Sequence, residues 1–501
     1  MNKKEEFLNY INEGYKTKGE FINLGAAMLG EETITNAFVK LPLKTINRHG
    51  LIAGATGTGK TKTLQVFAEN LSDAGVPVLL MDVKGDLSGL AQPSPGHKKI
   101  DERHAKIGFD FEAKKFPIEI LTISEQDGSR MRATVAEFGP TLLSRILDLS
   151  ETQSGILAVL FKYCDDNKLP LLDLKDLKKV LQFATNEGKD ELEKDYGRIS
   201  TASTGAILRK IVEIEQQGGN LFFGERSFEI DDLIRIDNKG RGMISVLRLT
   251  DIQDKPKLFS TFMLQLLAEI YETLPEQGDG GRPELVMFID EAHLIFKEAS
   301  KALLSQIESI VKLIRSKGVG IYFVTQNPKD IPADVLSQLG LKIQHALRAF
   351  TANDRKAIKL AAQNYPDSDY YDTATVLTQL GIGEALVSGL NEKGIPTPLV
   401  RTMLRAPMSR MDILTQNEIN EVISSSFIYK KYSEKIDRES AYELLNKKIE
   451  KAYKKQEEEE KKEKKKTPSK RKSTRMNPIL KVVTSATFIR GVLGILKKVM
   501  R

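Results

Sequence analysis

The sequence predicts an α/β fold built on a largely parallel sheet, and three observations carry that expectation. Short apolar runs alternate with longer stretches of helical spacing. One run leads into a glycine-rich loop followed by a helical pattern, and another ends in two adjacent carboxylates. At 501 residues the chain exceeds one ordinary core, so a large α/β domain with an inserted or appended piece is expected.

In chain order, residues 1–49 read as a short helical start and a polar lead-in, with Leu41 to Ile46 as a candidate strand before Asn47-Arg48-His49-Gly50. Leu51-Ile52-Ala53 reads as a short buried strand. It runs into Gly54-Ala55-Thr56-Gly57-Thr58-Gly59-Lys60-Thr61, which fits G-x-x-x-x-G-K-[ST] without a mismatch. From Lys62 to Leu71, Leu64, Phe67, Ala68 and Leu71 fall at helical spacing, so the loop has the strand and helix it needs on either side. Glycines let the backbone take positive φ and approach a ligand closely, so that N–H groups and the helix N-terminus point at phosphate oxygens. Gly54 to Lys62 is the expected ATP-binding segment, with Lys60 neutralising the β- and γ-phosphates and the Thr61 hydroxyl ligating Mg²⁺. The competing reading is a Gly/Thr-rich surface turn.

Val78 to Asp82 is a second buried strand, ending in Val83-Lys84-Gly85-Asp86. After a strand at Ile118 to Ile123, helical spacing dominates from Val135 through Ile214, which marks 91–237 as a mainly helical insertion. Met243 to Leu249, Leu285 to Ile289, Ile321 to Thr325 and Leu341 to Ala346 read as further strands, with helices at Lys257 to Leu274 and Ala299 to Lys317. Gly383 to Leu390 and Pro398 to Leu404 form a late hairpin around Asn391-Glu392-Lys393-Gly394. The organisation is then a lead-in at 1–49, a core of 50–90 and 238–410, the insertion at 91–237, a helical extension at 411–460 and a basic tail at 461–501.

Leu285 to Ile289 delivers Asp290 and Glu291 to a strand end, an arrangement that resembles a Walker B segment. Asp290 is the candidate Mg²⁺ ligand, through water, and Glu291 the general base that polarises the attacking water. Gln326, in Thr325-Gln326-Asn327-Pro328, ends the next strand and is the candidate sensor of the γ-phosphate, against a plain strand-ending turn. His293 either couples the phosphate site to a neighbouring segment or is a satisfied structural histidine. Lys84 faces phosphate or a pore, and Asp86 caps a helix as the alternative.

Composition limits the partners. The hydrophobic fraction of 41% suits globular folding, and the lone Cys164 excludes an intrachain disulfide framework and fits a reducing cytoplasm, the expected location. Met1 to Glu6 has no apolar leader pattern and no stretch offers 18 uncharged apolar residues, so secretion and membrane spanning are disfavoured. Residues 461–501 carry fourteen Lys and Arg against one acid, Glu463, which leaves residues 1–460 at −6 within a chain of net +7. DNA contact therefore needs a local basic surface rather than bulk charge. In the tail, Glu457 to Lys466 continues a charged helix, Lys470-Arg471-Lys472 and Arg475 suit phosphate or anionic lipid, and the segment after Pro478 reads as an amphipathic helix for a protein partner or a membrane surface.

Gly54 to Thr61, Asp82 to Asp86, Ile289 to His293 and Thr325 to Pro328 together resemble the HerA/FtsK superfamily of P-loop ATPases. The helical insertion and Ile489-Arg490-Gly491-Val492-Leu493-Gly494 are most similar to its bacterial YjgR-type HerA-like branch. The resemblance implies a RecA-like core, a homohexameric ring with ATP between subunits, and ATP-driven movement on double-stranded DNA. The chain departs from archaeal HerA in lacking an evident N-terminal β-barrel before the loop, so coupling to the nuclease that HerA serves is not expected. A site shared between subunits needs a cation for the transferring phosphoryl group. Arg248, Arg348 and Arg355 are the candidates, with a surface or structural arginine as the alternative for each. Two function classes stand: a DNA motor, or an ATP-gated assembly protein acting on a partner or membrane without translocation.

Overall fold

Apolar runs without polar alternation are stable as strands only when both faces are covered, and here they are. In a computed structural model, which describes residues 2–466 apart from 279, 298–300 and 435, the runs at Val78–Asp82, Leu285–Ile289 and Val319–Thr325 are buried at every position. The strands are β1 Phe21–Leu29, β2 Glu32–Pro42, β3 Gly50–Ala53, β4 Val78–Asp82, β5 Ile118–Thr122, β6 Ser129–Arg130, β7 Ile244–Arg248, β8 Leu285–Ile289, β9 Val319–Thr325, β10 Leu341–Gln344, β11 Glu384–Ser388 and β12 Val400–Leu404. They form one twelve-stranded sheet in the order β2-β1-β12-β11-β10-β3-β9-β8-β4-β7-β5-β6. From β10 to β6 every neighbouring pair is parallel, and from β10 to β2 every pair is antiparallel. The predicted α/β class with a mostly parallel sheet is what the chain adopts.

Two boundaries differ from the sequence reading. The lead-in is not merely polar: β1 and β2 extend the sheet, and Leu41 to Ile46 is the end of β2 followed by a 3-10 turn at Leu43–Arg48. Gly25-Ala26-Ala27 at the centre of β1 are weak strand formers, and their partners are Leu404, Met403 and Thr402 on β12, nearly the whole chain away. Gly25 is required there, because a Cβ would stand 2.0 Å from the Met403 carbonyl oxygen. Second, the strand at Ile118 belongs to the main sheet beside β7 rather than to the helical piece.

The helices Val135–Ile146, Glu151–Asp166, Leu174–Thr185, Lys189–Tyr196 and Thr201–Gln216 follow the predicted helical spacing. Leu157, Leu160, Leu177, Leu181, Ile207 and Ile211 are buried among them, and so is Cys164, whose thiol burial pushes up to about 12. The late hairpin is present as β11 and β12.

The chain divides into two units, Met1–Leu445 and Asn446–Arg501. From Asn446 on, the helix Ala441–Lys466 makes up the described part of the second, and every residue from 450 to 462 is exposed. The basic cluster at Lys470 to Arg475 and the amphipathic segment after Pro478 lie outside the described residues. No helix among the described residues is long and apolar enough to cross a membrane.

Candidate nucleotide-binding site

Sheet order decides which loops meet. β3 and β4 are successive core strands in the chain, but β9 and β8 lie between them, in the run β10-β3-β9-β8-β4. All five are parallel, so the loops leaving their carboxyl ends open on one side. The glycine-rich loop after β3, the polar turn after β9, the carboxylates after β8 and the Val83–Asp86 loop after β4 therefore line up in that order.

The loop after β3 depends on its glycines. Gly54, Gly57 and Gly59 have φ of 154°, 76° and 113°, and a Cβ on Gly54 would stand 2.5 Å from the His345 Cβ. The Gly54 N–H donates to the Thr325 carbonyl, the Ala55 N–H to that of Ala346 and the Gly383 N–H to that of Thr58, so β9, β10 and the start of β11 hold the loop. The Thr58 hydroxyl closes it on the Ala55 carbonyl at 2.7 Å. Lys60 Nζ donates to the Gly54 and Ala55 carbonyls at 2.7 and 3.1 Å. Burial pulls its ammonium below the ordinary lysine range and Lys84 adds to this, while Glu291 and Asp290 oppose it.

Lys60, Thr61 and Lys62 open the helix Lys60–Asp73. Its Phe67 packs on Phe288 of β8 and Tyr322 of β9, at ring centroid distances of 5.7 and 5.3 Å, which locks the helix under the site strands. On the same helix, fully buried Glu69 accepts the Met408 and Ser409 N–H groups, and burial pushes its carboxyl up to about 7. Lys62 Nζ donates to the Met411 carbonyl. Segment 408–411 thus wraps the outer side of the loop's helix.

Asp290 and Glu291 are only 4% and 7% exposed. Glu291 has φ 47°, a left-handed conformation that costs a non-glycine residue roughly 1–3 kcal/mol. Lys84 Nζ lies 2.7 Å from Glu291 Oε1 and 3.7 Å from Asp290 Oδ2. The Gln326 amide bridges the two motifs: its Nε2 donates to Glu291 Oε1 at 3.5 Å, and its Oε1 accepts from the Thr56 hydroxyl at 3.4 Å. His293 Nδ1 is 3.2 Å from Glu291 Oε2, yet that oxygen is buried without a hydrogen-bond partner. Burial would raise the Glu291 carboxyl, but Lys84, Gln326 and His293 together hold it below its ordinary range. Asp290 goes the other way, pushed up to about 6 by burial against the pull of Lys84.

Asp82, at the end of β4, is pushed up to about 6 by burial and by Asp86. Its carboxylate accepts the N–H groups of Gly85, Asp86 and Leu87. Asp82, and not Asp86, is therefore the residue that holds this loop, and Asp86 Oδ1 is buried without a partner.

The three arginines separate. Arg248 pairs in register with Asp82 on the side of β4 away from β8, and its guanidinium donates to the Asp127 carbonyl at 3.4 Å. Arg348 and Arg355 are exposed beyond β10. Sequence reasoning missed His345, which is fully buried beneath the loop, with its Nε2 2.9 Å from the Thr63 hydroxyl. Burial, then Lys60, lowers it to about 4, so it is neutral at physiological pH. Nothing in the local sequence pointed to it; the parallel register of β10 on β3, which sets Gln344 beside Ala53, puts it there.

A strained glycine-rich loop, a lysine at its end and a buried carboxylate oxygen without a partner fit a triphosphate with a divalent cation. The family model described as helicase HerA-like C-terminal matches residues 28–491. The chain belongs to this family. The DNA double-strand break repair helicase HerA of Sulfolobus acidocaldarius is 23% identical over 381 residues, covering 74% of this chain and 68% of the relative. A probable helicase of Methanocaldococcus jannaschii is 27% identical over 393 residues, 72% of this chain and 66% of the relative. Among solved structures, the plasmid coupling protein TrwB with a non-hydrolysable ATP analogue superposes with a TM-score of 0.53 at 15% identity, covering 81% of this chain and 95% of that one. TrwB with ADP and Mg²⁺ gives 0.50 at 15%, with coverage of 80% and 100%. This HerA-like chain shares their P-loop fold.

Proposed function

We propose that this HerA-like chain is a Mg²⁺-dependent ATPase that acts as a ring of identical subunits and uses hydrolysis to translocate on or remodel double-stranded DNA. The observation that carries the reading is the meeting of Lys60, Asp290, Glu291 and Gln326 at the ends of three adjacent parallel strands, with Glu291 in a strained backbone and one of its oxygens unpartnered.

In this reading the N–H groups of Gly57 to Thr61 and the Lys60 ammonium take the phosphate oxygens. Glu291 accepts the proton of a water whose oxygen attacks the γ-phosphorus, while the bridging P–O bond breaks and ADP leaves with its electron pair. Gln326, already between Thr56 and Glu291, orients that water. Thr61 and Asp290 would hold Mg²⁺, which when bound neutralises phosphate charge. For the charge that develops in transfer, exposed Arg348 and Arg355 suit a neighbouring subunit's nucleotide better than Arg248, which is anchored on its own chain. Mixing an Arg348→Ala or Arg355→Ala chain with a Lys60→Ala chain restores activity only if the arginine is delivered between subunits.

The printed names of relatives, a double-strand break repair helicase and the DNA import protein CedB of Sulfolobus acidocaldarius, support DNA as the substrate. The decisive measurement is ATPase rate with and without double-stranded DNA over a salt series, alongside particle size with nucleotide bound. Stimulation by DNA that falls steeply with salt supports the motor. A rate indifferent to DNA but altered by deleting residues 461–501 supports instead an assembly protein working through its tail.

A further inference from the structure

Lys84 belongs to neither motif, yet its ammonium is the closest cation to both catalytic carboxylates, at 2.7 Å from Glu291 and 3.7 Å from Asp290. The backbone that carries it is fixed. Asp82 clamps the N–H groups of Gly85, Asp86 and Leu87, Gly85 sits at φ 78°, and Gln253 Nε2 donates to the Val83 carbonyl at 3.3 Å. The side chain itself is 34% exposed, on a stem of four rotatable carbons. Two consequences follow from this geometry. Glu291 Oε1 already accepts from Lys84 and Gln326, so one of the two oxygens that could take a proton is occupied. A divalent cation on Asp290 would also stand close to an ammonium, and like charges that close repel strongly in a buried site.

We propose that Lys84 is a cation gate on the catalytic carboxylates: its ammonium holds Glu291 and Asp290 until a metal–triphosphate displaces it, and it then moves onto the phosphate oxygens and frees Glu291. The inference rests on the ATPase reading and adds a regulated step to it. The loop that carries Lys84 leaves β4 and the glycine-rich loop that carries Lys60 leaves β3 on the same side of the parallel sheet, with Asp290 and Glu291 after β8 between them.

The test is the Mg²⁺ dependence of binding of a fluorescent ATP analogue to the full chain, with parallel titrations in EDTA. Lys84→Met is expected to reach half-saturation at about tenfold lower Mg²⁺ than the unmutated chain, because the competing cation is gone. In EDTA, where no metal displaces Lys84, the variant should bind the analogue several-fold more weakly, because Glu291 and Asp290 lose the cation beside them and repel the triphosphate. An unchanged Mg²⁺ midpoint or unchanged affinity in EDTA overturns the gate. If Lys84→Met does not fold, Lys84→Arg decides: a Mg²⁺ midpoint at or above that of the unmutated chain supports the gate, and one below it overturns the gate. Failure of the ATPase reading looks different, since the unmutated chain would then bind no analogue, or Lys60→Ala would bind it equally well.

Discussion

The helical stretch from Val135 to Phe222 and the carboxyl ends of β4, β8 and β10 treat buried polar groups in opposite ways. In the helices, polar groups are satisfied locally. Thr134 with Glu137, Ser150 with Gln153 and Asp173 with Asp176 form reciprocal capping boxes, and among the described residues 135–222 no buried side-chain polar atom lacks a partner. At the strand ends, Asp86 Oδ1, Glu291 Oε2 and His345 Nδ1 are buried without partners, and Glu291 holds a left-handed backbone. Native proteins rarely tolerate such groups without a reason. Left-handed non-glycine residues occur in both regions, Asp148 and Lys168 in the helical stretch and Glu291 at the strand ends, so it is the unmet hydrogen-bonding capacity of buried side chains, and not backbone strain, that separates the two.

That contrast can be broken by mutation, and the largest effect is expected at Lys60. Lys60→Ala should lose nucleotide binding or turnover altogether while melting near the unmutated chain, and unchanged ATPase rates would remove the site assignment. Glu291→Gln comes next: it should retain ATP while hydrolysis falls about 10²- to 10⁴-fold, the usual worth of a general base. Undiminished turnover in a rapid-quench assay would show that Glu291 is strained for some other reason.

A satisfied polar residue near the site should instead change stability. His49 precedes β3 and is buried with both nitrogens used: Nδ1 accepts from the Ile321 N–H at 3.0 Å, so Nε2 carries the proton and donates to the Val311 carbonyl at 2.8 Å. Burial lowers it to about 4 from an ordinary 6.5. The unfolded chain takes up that proton first, so the contribution is fully present above about pH 6.5 and is lost as pH falls through 4, by about 3 kcal/mol. His49→Asn, which removes the titrating ring, should flatten the decline in thermal stability between those pH values. An equally steep decline would assign it to other groups. The smallest effect is expected in the helices, where Ser150→Ala should cost about 1 kcal/mol and leave ATPase rates untouched. A change in nucleotide affinity there would dissolve the contrast between the two regions.

The site's parts were legible because each is a local code. The loop at Gly54 to Thr61 announces itself through spacing, and Leu285 to Ile289 through five apolar residues before Asp290. The late hairpin is visible in its turn residues. β1 was hidden by Gly25-Ala26-Ala27, whose strand character comes from burial against β12 and not from propensity. The strand at Ile118 was visible but not its place, because nothing in residues 118–122 encodes that β7, some 120 residues later, will be its neighbour.

By itself the sequence determined the α/β class, the glycine-rich loop after β3, the paired carboxylates after β8, the polar turn at Gln326 and the HerA-like resemblance. All of these are written in short-range spacing and residue chemistry, since periodicity and glycine conformation act over a few bonds. Only the tertiary structure decided that β9 and β8 stand between β3 and β4. From that order follow Gln326 between Thr56 and Glu291, Lys84 on both carboxylates and His345 beneath Gly54. Strand order is set by how the whole sheet and its covering helices bury their faces together, and no local stretch of chain carries that information.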